Sequence, residues 1–174
     1  MARKDSDAET RQKKIIRRWV IFFIVALVLS GLTAFALETE LNGLLAYWPG
    51  RHEGEPEGSL YRWVRKVYEA LRETNSHYPF LAYGYDWLAF AHLVIAIAFI
   101  GPLRDPVRNK WVIEFGMIAC TLVFPLAFIA GTVRGIPIPW RLIDCSFGAI
   151  GLIPLVICYR KICTLQRWQY ERQE

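Results

Sequence analysis

The sequence has no CxxC pair, and its four cysteines are scattered. Cys120 and Cys145 lie inside apolar runs, and Cys158 and Cys163 lie at the end of another. This argues against membrane thiol oxidoreductases that work through such a pair, gives no disulfide framework, and leads us to expect buried or reduced thiols. Histidine is scarce too. Of the three, only His92 falls within an apolar run, whereas a diheme four-helix cytochrome needs paired histidines from different spans. No arginine-rich stretch or nucleic-acid motif accompanies the net charge of +5. No nucleophile–base pair, metal-ligand cluster or phosphate loop is visible. Neither nucleic acid, metal nor resident cofactor is expected, and no catalytic residue is assigned.

What is present is apolar length. The 174 residues suit one domain and are 54% hydrophobic. The mean hydropathy is +0.23. Runs from Trp19 to Leu37, Gly84 to Leu103, Trp111 to Gly131 and Trp140 to Tyr159 are each about long enough to cross a hydrocarbon core of roughly 30 Å as a helix. Several of the seven Trp and eight Tyr sit at the ends of these runs, where headgroups favour amphipathic rings. The expected fold is an all-α membrane protein, a bundle of four transmembrane helices. Its parts are a basic cytoplasmic segment (1–18), a membrane domain (19–159) containing an outer loop (38–83), and a basic tail (160–174). The basic leader, the first apolar run and Ala34-Phe35-Ala36 together have the pattern of a cleavable signal. The long leader and long run favour retention; cleavage after Ala36 would leave three spans.

The outer loop holds two kinds of sequence. Pro49 to Gly58 has turn and disorder chemistry. From Ser59, a candidate N-cap, Leu60, Trp63, Val64, Val67, Tyr68 and Leu71 recur at helical spacing among Arg, Lys and Glu. This predicts an amphipathic helix, too charged to span, lying on the membrane or on the bundle. Pro125 and Pro154 should kink the third and fourth spans. The tail should continue the last helix into water. Small residues mark where helices meet: Gly116, Cys120, Ala127 and Gly131 in the third span, Gly148 and Gly151 in the fourth, Ala89 and Ala96 in the second.

Ionisable groups in or beside a span are costly and are therefore the default site candidates. At the outer face these are Glu38, Glu40, Asp86, Arg134, Arg141 and Asp144. Arg141 and Asp144 are three apart and share a helix face. The group suits either a polar vestibule for a ligand or proton, or an ion-pair network clamping the helix ends, with Asp144 bound to Arg141 or Arg134. Near-balanced signs favour the clamp. Glu114 should pair with the loop arginines Arg104 or Arg108, with Lys110 also close in sequence, at a helix start. It lies too shallow for the central carboxylate of a small multidrug transporter. His92 shares a face with Tyr85, Ala89, Ala96 and Phe99.

Three resemblances follow from these residues. Phe90-Ala91-His92-Leu93 resembles the histidine region of bacterial light-harvesting polypeptides, which implies an axial ligand for a haem or chlorin. The small faces of the other spans imply tight packing instead, so His92 is expected to bond Ser30, Thr33 or Thr121 on a neighbouring span. The four-span plan resembles that of claudins, but loop 38–83 lacks their cysteine pair. With carboxylates near the outer ends of the first two spans, Glu38, Glu40 and Asp86, the plan is also similar to the EXPERA group of sterol isomerases and lipid-binding membrane proteins. That similarity implies a lipid-like ligand or an isomerisation at those carboxylates, as the alternative to a non-enzymatic accessory subunit. The accessory subunit would pack against another membrane protein or a second copy. Candidate ligand residues on the alternative reading are Glu38, Asp86, His92, Arg134, Arg141 and Asp144.

Charge sets the orientation. The first segment, the turn between the second and third spans, and the tail carry 14 of the 21 Lys and Arg. The positive-inside rule puts both termini in the cytoplasm of a plasma (inner) membrane protein. A single cysteine placed at Glu55 should therefore react with an impermeant thiol reagent in intact cells, and one at Asn109 should not. The reverse labelling pattern would overturn the orientation.

Overall fold

The computed structural model describes residues 2–49 and 58–172, and every regular element among them is helical. The helices are α1 (Ala2–Phe35), α2 (Leu37–Ala46), α3 (Ser59–His77), α4 (Tyr83–Ala98), α5 (Ile100–Arg104), α6 (Lys110–Val133) and α7 (Ile138–Glu171), with a 3-10 turn over Pro79–Ala82. Four of these segments are long and apolar enough to cross a membrane, which makes the chain a multi-pass membrane protein. Most of the Pro49–Gly58 stretch lies outside the described residues.

The termini give the two longest helices. α1 and α7 each have 34 residues. At 1.5 Å per residue each reaches about 51 Å, well beyond a hydrocarbon core of about 30 Å. Both therefore extend past the membrane as single rods, and the basic leader belongs to the first of them. Their extensions pack together. Ile16, Val20, Cys158, Ile162 and Leu165 are buried in one cluster with Phe23, Phe99, Val112, Ile113 and Leu155. Glu9 bridges Lys13 and Arg172, each at 2.8 Å, and so ties the first helix to the end of the last.

α1 packs on α4 and on α7, and α7 packs on α6. Small residues make these approaches possible. A Cβ on Gly148 would lie 2.6 Å from the Cys120 carbonyl oxygen, and one on Gly31 would lie 2.9 Å from that of Ala89. Gly116 has Phe99 and Leu155 against it in the same way. The ten-residue cluster takes in α1 only as far as Phe23, α6 as far as Ile113 and α7 from Leu155 onward. The shared core thus occupies the half of the spans nearest the basic termini. α6 and α7 run on through Pro125 and Pro154.

Three expectations need correction. The second span is not one helix to Leu103: it breaks at Phe99, and the short α5 carries Pro102. The segment after Glu38 is not simply a polar connection. Leu37, Leu41, Leu44 and Leu45 recur at helical spacing and form α2, whose Leu41 and Leu45 bury against Tyr61 and Val64 of α3. Finally, α3 starts at Ser59 itself, with Gly58 as the capping residue.

The glycine contacts give a stability prediction. Gly148→Ala should lower the thermal midpoint, by about 1–3 kcal/mol of overpacking, because its obstacle is backbone that cannot turn aside. Gly43→Ala in α2 has nothing within 4 Å. It should be neutral or stabilise by up to about 1 kcal/mol through helix propensity. Thermal unfolding of both variants in detergent checks the pair.

Candidate functional site

The charges expected at the outer face are not one cluster. Their positions follow from how each helix end satisfies its own backbone. α6 ends at Val133, and Gly135 takes φ +66°, a region that favours glycine. There Ile136 N–H donates to Gly131 O at 2.9 Å and Gly135 N–H to Thr132 O at 3.2 Å. This 6→1 and 5→2 pair is a Schellman closure. Arg141, coming back on α7, completes it. Its Nε donates to Ile136 O at 2.6 Å and its Nη1 to Thr132 Oγ1 at 2.8 Å, with its stem over Gly131. A cation at a helix C-terminus is also favoured by the dipole.

This arrangement overturns the expected clamp. Arg141 is occupied by the end of α6, and Asp144 makes no hydrogen bond or ion pair among the described residues. Arg134, the residue that caps α6, is exposed and is likewise unpaired among them. The guanidinium bonds Ile136 O, in the turn just beyond α6, and the Thr132 hydroxyl, whereas the helix-end carbonyls of Gly131 and Thr132 are met by backbone N–H groups of the turn. Arg141 and Asp144 share a face by spacing but point their charges to different tasks.

Glu38 belongs elsewhere. Asn75 Nδ2 donates to Glu38 Oε2 at 2.8 Å, and Tyr85 O–H donates to Asn75 Oδ1 at 3.0 Å. This chain joins α2, α3 and α4. Asn75 and Tyr85 form one edge of a groove of about 330 Å³ whose other walls include Val67, Leu71 and Leu81. Asp86, one residue further along α4, is half-buried and does not join this chain. Asn75 and Tyr85 were missed as site residues. Their only signal was polarity at the end of one helix and the start of another.

His92 sits against Gly31 of α1, and its Nδ1 is 2.8 Å from the carbonyl of Leu88 in its own helix. The expected bond to Ser30, Thr33 or Thr121 is not formed. Thr33 donates to Ser30 O and Thr121 to Met117 O, each within its own helix. Ala89 and Ala96, which would have to stand open to leave room for a macrocycle, are buried. The contact of Gly31 with Ala89 shows that α1 closes this face. Glu114 pairs with Lys110 at 3.5 Å rather than with the expected loop arginines.

The antiparallel register of α1 and α7 sets the depth of Asp144. Cys158 meets Ile16 and Gly151 meets Phe23. The same step places Asp144 level with Ser30, which adjoins the Gly31–His92 contact. His92 and Asp144 thus lie at one depth on different helices. With this geometry described, comparison of the chain with protein-family models, with curated proteins and with solved structures finds no match.

If Arg141 is the closing residue of α6, Arg141→Gln should destabilise the protein by about 1.5–3 kcal/mol, the scale of hydrogen bonds from a charged group. In the isolated monomer Asp144→Asn should not lower the thermal midpoint, because no bond among the described residues is lost. A large loss with Asp144→Asn would restore the clamp.

Proposed function

We propose that the chain is a plasma-membrane protein with both ends in the cytoplasm, a bundle of four spans with α3 as an amphipathic helix on its outer side. It acts as a non-enzymatic accessory or interaction subunit that packs against another membrane protein or a second copy of itself. The observation that carries this reading is Asp144. It lies two turns inside α7, half-buried, with no donor or cation from the described residues. A carboxylate costs about 2.5–3.5 kcal/mol at the centre of a span, and two turns in from the end it costs part of that unless something satisfies it. A donor from a neighbouring chain does so, and His92 at the same level offers a second polar contact. The spans have room for such a neighbour, since 28% or less of each apolar window is buried within the chain.

Purification in mild detergent, with mass measurement of the intact particle and mass spectrometry of whatever co-purifies, tests this. The expected result is a dimer or a fixed-stoichiometry complex with another membrane protein, weakened at least about tenfold by Asp144→Ala, as expected for losing a buried charged contact. A lone monomer, or a complex indifferent to Asp144→Ala, would overturn it.

A second reading is supported by the groove beside the Glu38–Asn75–Tyr85 chain. It could take a lipid-like ligand, with the carboxylate of Glu38 linked to it through Asn75. A photoactivatable sterol should then crosslink near Leu81, and Glu38→Gln should reduce that labelling. Equal labelling of the variant would remove this alternative.

A further inference from the structure

At the basic end of the molecule a cleft of about 450 Å³ opens between three separate segments: α1, the α5 turn and the end of α7. Lys13, Lys14 and Arg17 line it from α1, where spacings of three and four put them on one side of the helix. Arg104 faces them from the α5 turn. Glu9 is committed to Lys13 and Arg172. Asp105, the lining carboxylate, uses its Oδ1 to accept the backbone N–H groups of Val107 and Arg108, at 3.1 and 3.0 Å. Lys14, Arg17 and Arg104 have no anionic partner among the described residues. Ile16 and Pro102, both buried, form an apolar floor beneath these cations.

From this geometry we infer a binding site for the phosphate of an anionic phospholipid. Like charges converging on one concavity repel unless an anion joins them. The cations stand where α1 leaves the apolar region, a few residues before Trp19, which is headgroup depth. The side assigned to the cytoplasm is the one whose leaflet carries anionic lipids, and basic pockets between helices there suit such headgroups. The apolar floor suits the glycerol and first methylenes. The walls are held before any ligand arrives. Asn109 Nδ2 donates to Gly101 O and Asp105 O, at 3.2 and 2.9 Å, which fixes the turn carrying Arg104. The Glu9–Arg172 bridge holds the α1 extension against α7. The site does not depend on the accessory-subunit reading.

Native mass spectrometry of the full chain in a neutral detergent, titrated with dioleoyl phosphatidylglycerol or dioleoyl phosphatidylcholine, tests the site. The phosphatidylglycerol should give a one-to-one adduct at concentrations where phosphatidylcholine gives none. The combined variant Lys14→Gln, Arg17→Gln, Arg104→Gln should weaken it by about a hundredfold, at roughly fivefold per cation. All three residues are exposed, so the variant should fold, and thermal unfolding checks this. The equally discharged variant Arg11→Gln, Arg160→Gln, Arg167→Gln should bind as the parent does. Equal loss in both variants, or equal binding of the two lipids, would overturn the site. Inorganic phosphate distinguishes the source. Weak competition at millimolar concentration supports a lipid headgroup; binding of phosphate alone as tight as that of the lipid would overturn the lipid assignment.

Discussion

In hydrocarbon, apolar side chains gain nothing by leaving lipid for one another, so helices are held by how closely they approach. In this chain that constraint falls on a few glycines. Gly148 brings α7 onto the carbonyl of Cys120, Gly31 brings α1 onto that of Ala89, and Gly116 leaves room for Phe99. Phe99 stands where α4 breaks, and it reaches across to Phe23, with ring centroids 4.7 Å apart. The break therefore supplies the aromatic plug of the shared core. Without the small residues these side chains could not meet, and the long helices would have no common interior.

Backbone satisfaction is the second influence, and it decides where charge goes. Arg141 is held at the turn after α6 by Ile136 O and the Thr132 hydroxyl. That leaves Asp144 with no partner among the described residues. A single preference, for closing a helix end, thus converts a balanced pair in the sequence into one internal bond and one unmet group. Glu38 is held by Asn75, which Tyr85 holds in turn, and so serves the contact of α2 with α3 and α4.

Much of this was legible in the residues. The apolar runs marked the four long segments, because length and hydropathy are properties of the chain itself. The helical period beginning at Leu60 marked α3 for the same reason. Gly116, Gly131, Gly148 and Gly151 marked interhelical contacts, because only small side chains allow close approach. What could not be read was partnership. Arg141 and Asp144 sit three apart whether or not they pair, and the choice was made by Gly135 and Ile136 closing a neighbouring helix. His92 had a face of alanines, and nothing in the spacing said that α1 would cover it. The break at Phe99 and the start of α2 at Leu37 were obscured because apolar sequence continues smoothly through both points.

The contact between Ile16 and Cys158 joins residues 142 apart in the chain, and the Glu9–Arg172 bridge joins almost its whole length. During synthesis the first helix is made long before the last exists. Its inward Ile16 and Val20 must wait for the cover that α7 brings, although Phe23 already has Phe99. The molecule therefore cannot mature segment by segment from its beginning. Its core closes only when the ribosome is nearly finished, and any product truncated before α7 leaves Ile16 and Val20 without their cover from α7, while Gly31 and Phe23 still meet α4 and Phe99.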